Sequence, residues 1–144
     1  MPIYFFTEDV KEVRIPKRKV RTWVNQTITS YEKKLGDINY IFCSDEYLRQ
    51  INVEYLNHDY YTDIITFNYN EKDVVSGDIY VSLERVRDNA EEFEVSFHTE
   101  LQRVVMHGVL HLLGFDDKSE KEKIQMRAAE DESIALYNKI WKEF

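Results

Sequence analysis

One cysteine, two prolines and four glycines are all that 144 residues hold of these types. The single thiol, Cys43, excludes an intrachain disulfide. Its apolar setting, Ile41-Phe42-Cys43, reads as a small buried hydrophobe in a reducing compartment. No basic neighbour stands beside it to lower its pKa, so a nucleophilic role is not expected. The scarcity of glycine and proline, with 43% hydrophobic and 14% aromatic residues, excludes a disordered chain and supplies one core. No apolar run approaches the ~20 residues of a membrane span. Before the short run Ile3-Tyr4-Phe5-Phe6 there is no basic residue of the kind that opens a signal peptide. The expectation is a cytosolic, soluble protein forming one domain over residues 1–144.

Positive charge is also in short supply. The net charge is −8, which taken as a sum disfavours nucleic acid as a partner. Its distribution is uneven. Between Lys11 and Lys34 the chain carries a net +6, leaving −14 on the remainder, so a local basic patch is permitted on an acidic protein. Taken alone, a solvated helix face is the simpler reading of that segment.

Hydrophobic spacing predicts the element order βαβαββααα. Ile3 to Phe6 reads as a strand. A helix follows Pro16, carries Val20, Trp23, Val24, Thr27, Tyr31 and Leu35, and stops at Gly36. Ile38 to Cys43 reads as a strand, and Ser44-Asp45 opens a helix with Tyr47, Leu48, Ile51 and Tyr55. Asp63 to Tyr69 and Gly77 to Ser82 form two strands around the turn-prone Asn70 to Asp73, the pattern of a hairpin. Helices are expected over Leu83 to Phe93 and Thr99 to Leu113. Ser119-x-x-Glu122 is a capping box for a last helix running nearly to Phe144. This order predicts an α+β fold, a small mixed sheet of about four strands packed with helices.

The chemistry concentrates in His107-Gly108-Val109-Leu110-His111-Leu112-Leu113-Gly114-Phe115-Asp116-Asp117. Histidines four apart share one face of a helix, with Cβ atoms roughly 6 Å apart. Two imidazoles at that separation can converge on one ion at ~2.0–2.1 Å. Gly114 can adopt the left-handed conformation that ends a helix and turns the chain back. Asp117, six residues past His111, can then reach the same ion. Three protein ligands leave a fourth position for water, the arrangement of a catalytic metal centre, and Zn2+ is the expected ion. Asp116 is one residue short of the expected spacing. His58 and His98 read as loop and helix-start residues. Arg103 shares the face of His107 and could touch a phosphate, although an ion pair with Glu100 is the simpler reading.

The spacing is near the H-E-x-x-H-x-x-G-x-x-H pattern of one group of zinc proteases. Here Gly108 stands where that pattern has its glutamate base, which argues against peptide hydrolysis. His-Gly-x-Leu-His-Leu-x-Gly instead resembles the YbeY family, bacterial metal-dependent endoribonucleases associated with ribosomal RNA maturation. Leu56-Asn57, Thr62-Asp63-Ile64-Ile65-Thr66-Phe67, Gly77-Asp78-Ile79 and the Met126-x-x-x-Glu130 pair extend the resemblance over residues 56–130. It implies a hydrolase cutting single-stranded RNA, a role in ribosomal RNA maturation and ribosome quality control, and the small ribosomal subunit as a partner. His107, His111 and Asp117 would hold the metal.

Two departures stand out. That family usually carries a third histidine where this chain has Asp117, and an anionic ligand is expected to make bound water less acidic. It also has a loop arginine for phosphate, whereas residues 58–61 here read His-Asp-Tyr-Tyr. No general acid is evident. The competing readings are a non-catalytic metal-containing ribosome-binding factor, with the Lys11 to Lys34 segment as its contact, and a divergent zinc metalloprotease.

Overall fold

A computed structural model describes residues 3–142 and Phe144. The order is β1 (Ile3–Thr7), α1 (Lys17–Ser30), β2 (Lys34–Cys43), α2 (Asp45–Leu56), β3 (Ile64–Asn68), β4 (Val74–Ser82), α3 (Leu83–Glu92), α4 (Phe97–Leu112) and α5 (Glu120–Ile140). The strands form one mixed sheet in the order β1-β2-β4-β3. β1 and β2 run parallel, as do β2 and β4, while β3 and β4 form the antiparallel hairpin. The α+β class, the element order and the hairpin are as the sequence predicts.

Strand register divides the side chains between two faces, because successive residues of a strand point to opposite sides. Ile38, Tyr40 and Phe42 face the main core, where Trp23, Val24 and Ile28 of α1 meet Leu101, Val105 and Val109 of α4. The opposite face is covered in part by α2, whose Leu48 packs with Cys43 and Ile65. Cys43 is fully buried there, and burial pushes its thiol up to about 12. That thiol is a packing group, as its apolar neighbours suggest.

The first helix departs from the expected end. It stops at Ser30, Glu32 adopts a left-handed φ of 62°, and Leu35 and Gly36 belong to β2. Gly36 therefore caps no helix. It sits at a register shift between β2 and β4, where a Cβ would overlap Ser76 Oγ and lie 2.7 Å from a Val74 methyl. A glycine is needed there for close approach of two strands, not for a turn.

The other limits move less. β4 begins at Val74 rather than Gly77, and α4 begins at Phe97, capped by Ser96 accepting from Thr99 N. The capping box of α5 forms as expected, with Ser119 and Glu122 bonded to each other's backbone. Among the described residues no helix is long and apolar enough to cross a membrane.

Candidate metal centre

α4 is apolar over most of its circumference, so ten of its sixteen residues are buried and its register against the sheet is tightly defined. Gly108 sets the depth. A Cβ there would lie 2.8 Å from Ile79 and 3.0 Å from Ile64, so the helix rests directly on the β3–β4 hairpin. The glutamate of a zinc protease could not occupy this position, which faces the sheet. The hairpin turn is tied to the end of the helix as well, since Asn70 Nδ2 donates to Leu112 O at 2.7 Å.

His107 and His111 lie on the outward face of this seated helix. The chain then reverses at Gly114, whose φ is 104°, with Gly114 N donating to His111 O and Phe115 N to Leu110 O. The reversal carries Asp117 back over the histidines, while Asp116 is exposed.

His107 Nε2 lies 3.0 Å from His111 Nε2 and 3.2 Å from Asp117 Oδ2. The third edge, His111 Nε2 to Asp117 Oδ2, is 3.7 Å. Ligand atoms at zinc-type bond lengths around a tetrahedral ion are separated by about 3.4 Å. The triangle therefore has the edge lengths that a small divalent ion requires, from two imidazole nitrogens and one carboxylate oxygen. Among the described residues this is the group of three or more His, Cys, Asp or Glu able to hold an ion.

A second layer fixes the first. Glu130, buried on α5, places Oε2 at 2.6 Å from His107 Nδ1 and Oε1 at 2.8 Å from Arg103. A carboxylate only accepts, so Nδ1 carries the proton and Nε2 is left with its lone pair toward Asp117. Arg103 also donates to Asp131 at 2.9 Å. Its partners are thus Glu130 and Asp131, not Glu100, because α5 offers two adjacent carboxylates to the guanidinium fork.

The charges differ accordingly. Burial works against a proton on His107, but the hydrogen bond and charge of Glu130 outweigh it and hold His107 above its ordinary value. His111 is lowered, first by burial and then by repulsion from His107. Glu130 is lowered despite burial, because His107 and Arg103 hydrogen-bond to its charged form. Asp63, at the entry to β3, is raised by burial, while the charge of His107 pulls it the other way.

His58 and His98 lie outside the cluster: His58 stacks on Tyr60 at 5.4 Å and His98 is exposed at the start of α4. Glu130 entered the sequence reading only through its spacing from Met126. The sign that it does more was a carboxylate within the buried stripe Met126, Ala129, Glu130, Ser133 and Tyr137 of α5.

The Endoribonuclease YbeY family model matches residues 5–138. The chain belongs to the YbeY family. Endoribonuclease YbeY of Flavobacterium johnsoniae is 57% identical over 116 residues, spanning 81% of this chain and 84% of that protein. Its Porphyromonas gingivalis counterpart is 48% identical over 134 residues, or 93% and 89% of the two chains. A solution structure from Thermotoga maritima superimposes with a TM-score of 0.63 at 27% identity, covering 95% of this chain and 92% of the other. The YbeY resemblance carried by residues 56–130 thus extends over nearly the whole sequence.

Proposed function

We propose that this YbeY protein is a metal-dependent endoribonuclease acting on single-stranded RNA in ribosomal RNA maturation. The observation that carries the chemistry is the triangle of His107 Nε2, His111 Nε2 and Asp117 Oδ2. Its relatives' printed activity, Endoribonuclease YbeY, supplies the substrate class. Zinc suits the two nitrogens and one carboxylate oxygen. When bound, such an ion supplies a Lewis acid for a phosphoryl oxygen and an acidified water for attack.

The protein's own groups prepare that chemistry. Glu130 holds the His107 proton on Nδ1 and so presents Nε2 as a ligand. Arg103 holds Glu130 in turn. Gly108 offers no base and leaves no room for one, so no side chain at that position would take a proton from the water. Asp117 contributes a negative charge where a histidine would be neutral, which lowers the net charge of the loaded centre by one. Lys11, Arg14 and Arg18 are exposed around the start of α1 and give the small ribosomal subunit a basic surface to meet. The cellular placement that fits a lone buried thiol is the cytoplasm.

The test compares wild type with His111→Ala from identical preparations on a fluorescent single-stranded RNA. Chelator-sensitive cleavage by the wild type, at least a hundredfold above the variant, is expected. Equal cleavage by both would place the activity in a contaminating nuclease and end this reading. Stoichiometric RNA binding without turnover would favour a binding factor instead.

A further inference from the structure

An acidic neighbourhood surrounds the three candidate ligands. Asp63, Glu100, Asp116, Glu130 and Asp131 all lie near them or their supporting residues. With Asp117 anionic as well, a phosphodiester approaching the centre meets more negative charge than a three-histidine site would present. A cation free to meet a phosphate oxygen is therefore needed close by, and the 58–61 loop supplies none.

Three arginines fail that requirement. Arg49 is clamped between Glu46 and Asp59 at 2.6 and 2.7 Å. Arg85 is held by Asp45 at 2.7 Å and lies beside Asp88. Arg103 is mostly buried and bridges Glu130 and Asp131. Arg49 and Arg103 are each committed to two carboxylates, and Arg85 is committed to Asp45 by a short ion pair.

Arg127 differs. It stands on α5 one turn before Glu130 and also lies close enough to Glu100 for its charge to act there. Its guanidinium lies 3.9 Å from Glu130 Oε1, too long for a hydrogen bond. The side chain is 63% exposed. Glu130 touches His107 through its other oxygen at 2.6 Å, so the Glu130 carboxylate stands between Arg127 and the first ligand. It is both near and available.

We propose that Arg127 is the guanidinium that takes an RNA phosphate beside the metal centre, resting on the nuclease reading above. A planar fork can bind two phosphate oxygens at once, and releasing its weak hold on Glu130 costs little because that pair is long and solvated. Glu130 keeps Arg103 when Arg127 swings away, so binding of RNA leaves the His107 support intact.

The experiment measures cleavage and binding of a fluorescein-labelled single-stranded RNA by wild type, Arg127→Ala and Arg127→Lys, loaded with Zn2+. Arg127→Ala is expected to raise KM and Kd on the order of tenfold. The slope of log Kd against log salt should fall by about 0.7, one phosphate contact on a single strand. Arg127→Lys should keep the salt slope but recover only part of the affinity, since an ammonium cannot bind as a fork. Metal affinity and Tm should match wild type in both variants, which a residue acting through Glu130 would not allow. Wild-type KM and salt slope in Arg127→Ala, or a loss of metal affinity, would overturn the assignment. Wild type that binds metal but neither binds nor cuts RNA would instead overturn the nuclease reading, and the role of Arg127 with it.

Discussion

Over its C-terminal half α5 is held by neutral groups, whereas one turn earlier it is held by charges. Trp23 Nε1 donates to Ser133 O at 2.8 Å, Thr27 and Ser133 share a hydrogen bond of 2.7 Å, and the Trp23 and Tyr137 rings pack edge to face with centroids 5.1 Å apart. At Glu130 the contacts are ionic, to Arg103 and His107. Two residues three apart on one helix therefore serve different ends. The Ser133 region is aromatic packing with its polar atoms satisfied, which contributes stability with little functional consequence. The Glu130 region places a buried carboxylate beside a metal-ligating geometry, where its worth lies in orienting an imidazole.

Substitution can break this contrast. Trp23→Ala carries the largest expected effect, a loss of about 3–5 kcal/mol from the cavity and the lost hydrogen bond. Urea unfolding of the metal-free protein measures it. Zn2+ affinity of the folded fraction should be unchanged, and a parallel loss would show that the two regions are one unit.

Glu130→Ala should lower Zn2+ affinity roughly 10- to 100-fold, read by competition with a chromogenic chelator. Glu130→Gln should recover part of it, because an amide oxygen still accepts from His107 Nδ1. Unchanged affinity in the alanine variant would mean that Glu130 belongs with Ser133 as a packing residue.

The smallest effect sharpens the contrast within the charged region. Glu100 on α4 is buried like Glu130, yet its pKa is raised, first by burial and then by the charge of Asp63, against the pull of Arg103 and Arg127. A carboxyl raised in the folded state is charged more readily in the unfolded chain, so it costs stability at pH values above its ordinary 4.5. Glu100→Gln should therefore stabilise the protein at pH 7, by less than about 1 kcal/mol. The gain should fade as the pH drops through that range, where both states are protonated. Thermal melts at pH 7 and pH 4 measure the difference. A gain that persists at pH 4 would point to packing rather than charge.

Much of the fold was legible because its signals are local. The period of α4, the capping box at Ser119 and the alternation of the β3–β4 hairpin each depend on residues within one element. The first helix was not so legible. Tyr31 and Leu35 continue the helical spacing of Val24 and Thr27, and Gly36 follows them as a stop would. Pairing of Lys34 and Leu35 with Val74 and Val75 takes that segment into the sheet instead, a contact some forty residues distant that no local pattern reports.

The candidate ligands show the same division. Two histidines one helical turn apart, a glycine to reverse the chain and an acid beyond it lie within eleven residues, so their convergence followed from helix geometry. Arg103 was expected to pair with its own helix neighbour Glu100, and only the crossing of α5 over α4 gave it Glu130 and Asp131. Glu130 and Asp63 come to the centre from other elements, and Arg127 sits beside Glu130, with no spacing rule linking them to His107.

The scarcity of glycine now has a spatial meaning. By itself the sequence determined that only four positions lack a side chain, that one thiol has no partner, and that two histidines share a helix face. These are properties of composition and of short-range backbone geometry. Tertiary structure alone decided that Gly36 and Gly108 are points of close approach, one between two strands and the other where α4 rests on the sheet. It also decided which carboxylates pair, because a charge in the chain becomes a support, a ligand or a burden only through what packing brings beside it.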